Sequence, residues 1–141
     1  MGQSTFAGPM RIGDTGEGTL MNVGTPLLSQ ATTLTQNGET AVSGTLYLPL
    51  AAIIVDIIVD NLTVWDSATS ATVTVGSAAA GTQYAGGVNA KTAGRIRPTF
   101  TSAQLTSMAS IGSTTPVVAT VTPVGATTAG ITKVTVLYVM I

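Results

Sequence analysis

Histidine and cysteine are both missing from this chain of 141 residues. Without histidine the chain lacks the commonest general base near neutral pH, and it cannot build a Ser-His-Asp or Cys-His arrangement. Without cysteine it has no disulfide framework, no thiol nucleophile and no thiolate metal site. Neither lysine follows a serine by three positions, so a Ser-x-x-Lys nucleophile is absent too. We therefore predict no catalytic residues and no enzymatic activity.

Charge is also scarce, at 8% of residues against about 25% in typical globular proteins. The net charge of −1 and the pI near 4.9 argue against a nucleic-acid partner, which requires a dense basic face. The longest uncharged apolar run, residues 46–55, contains Pro49 and is well short of the ~20 residues that a spanning helix needs. The N-terminus lacks the basic start and apolar run of a signal peptide. We expect no membrane partner and no export.

The few carboxylates do not form a convincing site. Asp56 and Asp60 resemble a catalytic pair, but four residues along a strand separate them by ~13 Å, and glycosidase pairs lie about 5 to 9.5 Å apart. Asp60 and Asp66 flank "NLTVW", a spacing that matches no calcium motif. We interpret all three as solubilising charges and predict no metal and no cofactor.

The remaining sequence is dominated by short β-branched runs separated by Gly, Ser, Asn and Pro, which is typical of an antiparallel β-sandwich or barrel. Residues 1–28 are rich in Gly, Pro and Thr and show no helix or strand period. We predict two regions, an extended N-terminal arm over 1–28 and a β-domain over 29–141.

Alternation within the runs predicts which side chains face the core. In "IIVDIIVD" it places the odd positions inward and leaves an amphipathic even face for a rim or an interface. In "VSGTLYLPL" and "ATVTVGS" apolar residues alternate with hydroxyls. The C-terminal run is apolar on both faces from Leu137 onward, so we expect it to be covered on both. The residues predicted to face inward are Val42, Leu46, Leu48, Ile53, Val55, Ile57, Val59, Val73, Val75, Val134 and Val136.

One helix is predicted in "TSAQLTSMASIG". Thr101 and Gln104 have capping-box spacing. Leu105, Met108 and Ala109 should share its buried face, with Gly112 as the stop signal.

Three further features suggest contacts. Lys91, Arg95 and Arg97 surround Gly94 in a turn; they are either a solvated loop or a contact with an acidic protein surface, which guanidinium groups favour. The arm carries Phe6, Pro9 and Arg11 and either orders on a partner or frays. Trp65 with Tyr84 could stack on a sugar, but a domain of this size usually buries its one tryptophan, so we predict Trp65 in the core.

Three stretches resemble the capsid decoration (cement, or auxiliary head) proteins of tailed bacteriophages. The start "STFAGPMRIG" is similar to their "F-S-G-P-hydrophobic-basic" opening. The block "ATVTVGSAAAGTQYAGGVNAKTAGRIRPTFTSAQL" has a recurrent phage virion order of strand, glycine turn, aromatic, strand and "KTAGR". The ending "VVATVTPVGATTAGITKVTVLYV" resembles the Thr/Val hairpin that such proteins share.

The resemblance implies a jelly-roll-like β-sandwich that forms homo-oligomers, as trimers, on the outer capsid surface of the virion, after synthesis in the host cytoplasm. The major capsid protein is the implied partner, clamped by arm residues Phe6, Pro9 and Arg11 and basic-loop residues Lys91, Arg95 and Arg97. The doubly apolar strand residues Leu137, Tyr138, Val139 and Met140 would form the seam between copies. A head-fibre or tail-associated module that binds a receptor or carbohydrate is the alternative, and it requires an exposed aromatic such as Trp65.

Overall fold

The computed structural model describes residues 24–112 and 116–140. Arm residues Phe6, Pro9 and Arg11 lie outside these ranges. The described chain forms eight strands and one helix: β1 (Leu28–Thr35), β2 (Val42–Leu46), β3 (Ile53–Thr63), β4 (Ser70–Gly76), β5 (Ala85–Asn89), β6 (Gly94–Ile96), α1 (Ser102–Met108), β7 (Val117–Val124) and β8 (Ile131–Val139).

The strands form two antiparallel four-stranded sheets, with the order β1-β8-β3-β6 in one and β2-β7-β4-β5 in the other. Every connection between consecutive strands passes from one sheet to the other, except the β4–β5 connection. Two interleaved Greek keys in this order make a jelly roll. The predicted all-β, jelly-roll-like sandwich is confirmed, and its first strand begins at Leu28.

A single core fills the space between the sheets, because each strand turns alternate apolar side chains inward. On β4 the fully buried Val73 and Val75 alternate with Thr72 and Thr74, as predicted. On β8 the buried Val134 and Val136 alternate with outward Lys133 and Thr135, also as predicted. The tryptophan prediction is confirmed as well, since Trp65 is fully buried.

The prediction for β3 is wrong over its first three residues. Ile57 and Val59 face the core as expected, but Ile54 is buried and Val55 is 46% exposed. A bulge between Ile54 and Asp56, opposite β8, inserts Val55 as an extra residue and restarts the alternation. All three residues from Ile53 to Val55 are apolar, so the sequence pattern could not reveal the bulge.

Helix α1 begins as predicted, because Thr101 is the N-cap and the capping box with Gln104 is formed in both directions. Its end and its face differ from the prediction. The helix stops at Met108, four residues before Gly112, and Met108 is its one buried residue. Leu105 is 53% exposed, since a helix of seven residues rests on the sandwich over a single position.

Because neighbouring strands are antiparallel, the connections fall at two ends of the sandwich. We call one the charged end because its turns contain Glu39, Asp66 and Lys91; it consists of residues 36–41, 64–69, 90–93 and 125–130. The opposite end consists of residues 24–27, 47–52, 77–84 and 97–112. We call it the uncharged end because Arg97, whose Nη1 lies 3.6 Å from Asp56 Oδ2, is the one charged residue among those described there.

Candidate binding surfaces

The basic loop lies on the edge of a sheet. Residues 94–96 form β6, which pairs with β3 and sets Arg95 directly opposite Asp60. The Arg95 guanidinium donates from Nε to Asp60 Oδ1 at 2.7 Å and from Nη2 to Oδ2 at 3.1 Å. This bidentate hydrogen bond lowers the pKa of Asp60, with smaller help from the charges of Arg95 and Lys133.

Arg97 repeats the arrangement more loosely, with Nη1 3.6 Å from Asp56 Oδ2. The two arginines of the loop therefore face the two aspartates of β3, which were predicted to be unrelated solvated charges. The basic loop was predicted to contact an acidic protein surface, and two of its residues contact the acidic residues of strand β3 in the same chain. The side chains of Arg95 and Arg97 remain 62% and 65% exposed, which leaves them accessible to a second acidic group.

Lys91 is held at the charged end. Its Nζ donates to the main-chain carbonyl of Ser67, and its backbone N–H donates to Asn89 Oδ1 at 2.8 Å. The ammonium group thus ties the turn after β5 to the turn after β3. Lys91 and the two arginines do not converge on one pocket, because each has a different internal partner.

A buried network of polar side chains links the turns of the charged end. Trp65 Nε1 donates to Thr132 Oγ1 at 2.9 Å, and that hydroxyl donates to Asn61 Oδ1 at 2.7 Å. Asn61 Nδ2 then donates to the carbonyls of Asn89 at 3.1 Å and Thr92 at 2.7 Å. Every polar atom of this chain of side chains has a partner, as burial demands.

Asp66 organises the neighbouring turn. Its Oδ1 accepts the backbone N–H groups of Thr128 at 2.8 Å and Ala129 at 3.0 Å, and its Oδ2 accepts the Thr128 hydroxyl. These bonds, the hydroxyl first, lower the pKa of Asp66 to about 2. Asp66 therefore fixes the turn over 127–130, and it shares no ligand with Asp60, which is paired with Arg95.

The two aromatic residues that could have formed a sugar platform are both buried, Trp65 completely and Tyr84 almost so. A glycine makes room for the indole: a Cβ added at Gly130 would lie 2.4 Å from Trp65 Cδ2. The ring is thus a core element locked by Gly130 and Thr132.

The predicted seam residues divide by face. Tyr138 is buried in the core, and Met140 packs against the core. Leu137 and Val139 lie on the outer face of β8 and are half-buried. They flank the bulge that turns Val55 outward, since Ile53 pairs with Val139 and Asp56 with Leu137.

The uncharged end presents large apolar side chains that the sequence did not single out. Tyr47 is 77% exposed and Leu50 is 66% exposed, and Leu27 and Leu105 are also exposed there. The local signals were the "YLPL" stretch and the absence of charge from 98 to 112, but only the strand order shows that they share one end.

The loop that carries Tyr47 and Leu50 is fixed by backbone hydrogen bonds. Ala51 N–H donates to the Gly112 carbonyl at 2.9 Å, Ile111 N–H donates to the Ala52 carbonyl at 3.1 Å, and Ala52 N–H closes a turn on Pro49. Ala51 has φ 57°, a left-handed conformation that costs free energy for an alanine. Backbone hydrogen bonds therefore hold the loop in a conformation that is strained at Ala51.

Within the described residues, no group of three or more acidic side chains is placed to hold a metal ion. None of the helical structure described over 24–112 and 116–140 is long and apolar enough to cross a membrane. No protein-family model, curated protein or solved structure matches this chain.

Proposed function

We propose that this chain is a structural virion protein that binds the outer surface of a bacteriophage capsid as a homo-oligomer and cements neighbouring major capsid protein subunits. The observation that carries the proposal is the jelly-roll strand order, together with an end that exposes several large apolar side chains and so offers a surface for the homo-oligomer. Jelly rolls recur in virus capsid domains. The sequence resemblance to decoration proteins points the same way.

The mechanism is binding without chemistry. A protein that bridges shell subunits stabilises the assembled shell by mass action, because it binds the assembled state and not the free subunits. The described ion pairs and hydrogen bonds between Arg95 and Asp60, and around Asp66, serve the rigidity of the sandwich itself. A rigid domain loses little conformational freedom when it docks, which favours affinity.

The alternative, a head-fibre or tail module that binds a receptor or carbohydrate, required an exposed aromatic platform. Burial of Trp65 and Tyr84 removes the platform that the sequence suggested. Tyr47 is the one exposed aromatic side chain among the described residues, and a single ring does not form the two-ring platform, so we keep the capsid proposal.

Co-sedimentation with tailed-phage capsids freed of their decoration protein tests the proposal. We expect the full chain to pellet with capsids at saturable stoichiometry and to raise the temperature at which they open. A chain lacking residues 1–20 tests whether Phe6, Pro9 and Arg11 anchor it, with circular dichroism as the control for folding. Full chain that stays in the supernatant at all concentrations would refute the capsid role, and a glycan screen would then be the next experiment.

A further inference from the structure

We propose that the uncharged end is where two copies of this chain meet, with Tyr47 and Leu50 at the centre of the contact. This inference locates the contact between copies and rests on the homo-oligomer part of the proposed function. It names a different contact from the seam predicted on the C-terminal strand, where Tyr138 is buried and Leu137 and Val139 face outward, half-buried.

Exposure of the side chains is the first argument. Tyr47 and Leu50 are the two most exposed large apolar side chains among the described residues, and Leu27 and Leu105 lie at the same end. Single exposed apolar residues are ordinary, but several at one end of a small domain mark an interaction surface. Tyrosine is also among the residues that dominate binding energy at interfaces.

The second argument is that the loop is held in one shape before any partner binds. Three backbone hydrogen bonds fix residues 49–52, with Ala51 in a left-handed conformation. At the base of the loop, Gln30 Nε2 donates to the Tyr47 carbonyl at 2.9 Å and so holds the backbone that carries the ring. A preordered loop loses little entropy on docking, and a strained loop residue is typical of a functional segment.

Charge identifies the partner. A charged group on the partner would be buried there without a free counter-charge. Residues 24–27, 47–52, 77–84 and 97–112 contain no carboxylate, and their one cation, Arg97, already faces Asp56. The partner surface must therefore be uncharged and apolar. In a closed symmetric assembly each copy brings the same residues to the axis, so like charges there would repel. At the uncharged end the charge of Arg97 is offset by Asp56, whereas the charged end would set Glu39 and Asp66 near their own copies.

The test compares two matched double variants of the full chain. Tyr47→Ser with Leu50→Ser removes the apolar side chains of the uncharged end. Leu62→Ser with Val124→Ser removes two exposed apolar residues outside the uncharged end: Leu62 is 64% exposed against 66% for Leu50, and Val124 is 47% exposed against 77% for Tyr47. All four side chains are exposed, so both variants should fold; circular dichroism and urea denaturation check this.

Sedimentation velocity over a range of protein concentrations supplies the readout. We expect wild type and the Leu62/Val124 variant to associate equally. We expect the Tyr47/Leu50 variant to dissociate, with a Kd raised about tenfold or more. Equal association of all three proteins would overturn the inference and leave the homo-oligomer proposal standing with another seam.

Two further outcomes would also overturn it. Wild type that stays monomeric throughout would refute self-association itself, whereas the capsid proposal is decided separately by the pelleting experiment. Monomeric wild type that floats with phosphatidylcholine vesicles, and loses this with Tyr47→Ser and Leu50→Ser, would assign the uncharged end to a lipid surface.

Discussion

The two ends of this sandwich use their side chains in opposite ways. At the charged end, Trp65, Asp66 and Lys91 turn inward or sideways and bond to neighbouring turns. At the uncharged end, backbone hydrogen bonds hold the loops, and Tyr47 and Leu50 turn outward. The residues that the sequence marked as possible binding or metal sites, Trp65, Asp66 and Lys91, are therefore structural. Tyr47 and Leu50, which the sequence did not mark, form the candidate interface.

The largest expected effect comes from exchanging one aromatic residue at each end, Trp65 and Tyr47, for alanine. Trp65→Ala should lower the free energy of unfolding by about 3–5 kcal/mol, because it empties a fully buried site and leaves the Thr132 hydroxyl without its donor. Tyr47→Ala should change it by no more than about 0.5 kcal/mol. Urea denaturation measures both, at a protein concentration low enough to keep the chain monomeric. Equal losses of unfolding free energy in the two variants would contradict the structural difference between the two ends.

The second effect tests whether hydrogen bonding, in addition to packing, stabilises the charged end. Thr132→Val keeps the side-chain shape but leaves Trp65 Nε1 and Asn61 Oδ1 without their partner. We expect a loss of about 1–3 kcal/mol in the free energy of unfolding, the cost of buried unsatisfied groups.

Thr135→Val is the matched control, because Thr135 lies on the same strand and faces outward. It should change stability by less than about 0.5 kcal/mol. A Thr132 variant as stable as this control would mean that shape alone holds the indole.

The third effect is a pH dependence of stability that arises from Asp66 at the charged end. The pKa of Asp66 is lowered to about 2 in the folded chain from an ordinary value of 3.8. Its contribution is therefore fully present above about pH 4 and is lost as the pH falls through about 2. Thermal denaturation at pH 7, 4 and 2.5 should show a melting temperature that falls less steeply in Asp66→Asn than in wild type.

Glu39→Gln serves as the control for loss of one negative charge at the same end. It should leave the acid-induced fall of the melting temperature as in wild type. If Asp66→Asn behaves like Glu39→Gln, the bonds to Thr128 and Ala129 do not stabilise the turn as the geometry indicates.

Much of this fold was predictable because the signals are local. The alternation on β4 and β8 and the Thr101–Gln104 capping box each lie within a few residues, and short-range geometry decides them. Burial of Trp65 was also predictable, from the size of the domain and the shortage of other large side chains.

The rest depends on which strands become neighbours. Arg95 meets Asp60 across a distance of 35 residues in the chain, and nothing near either residue encodes the pairing. The Val55 bulge is set by the register with β8, and the gathering of Tyr47, Leu50 and Leu105 at one end is set by the jelly-roll order. The candidate interface therefore could not be predicted from the sequence, because the strand order determines which loops lie at the same end.

The smallest effect tests the strain at the uncharged end. Ala51→Gly should raise the free energy of unfolding by up to about 1 kcal/mol, since glycine adopts φ 57° without the penalty that alanine pays, less the entropy it adds to the unfolded chain. Ala52→Gly, at the adjacent fully buried position, should lower it by a similar amount. Opposite signs at adjacent residues, measured by urea denaturation, would mark the tip of the loop as strained. If both substitutions lower the free energy of unfolding, the left-handed conformation of Ala51 does not strain the folded loop.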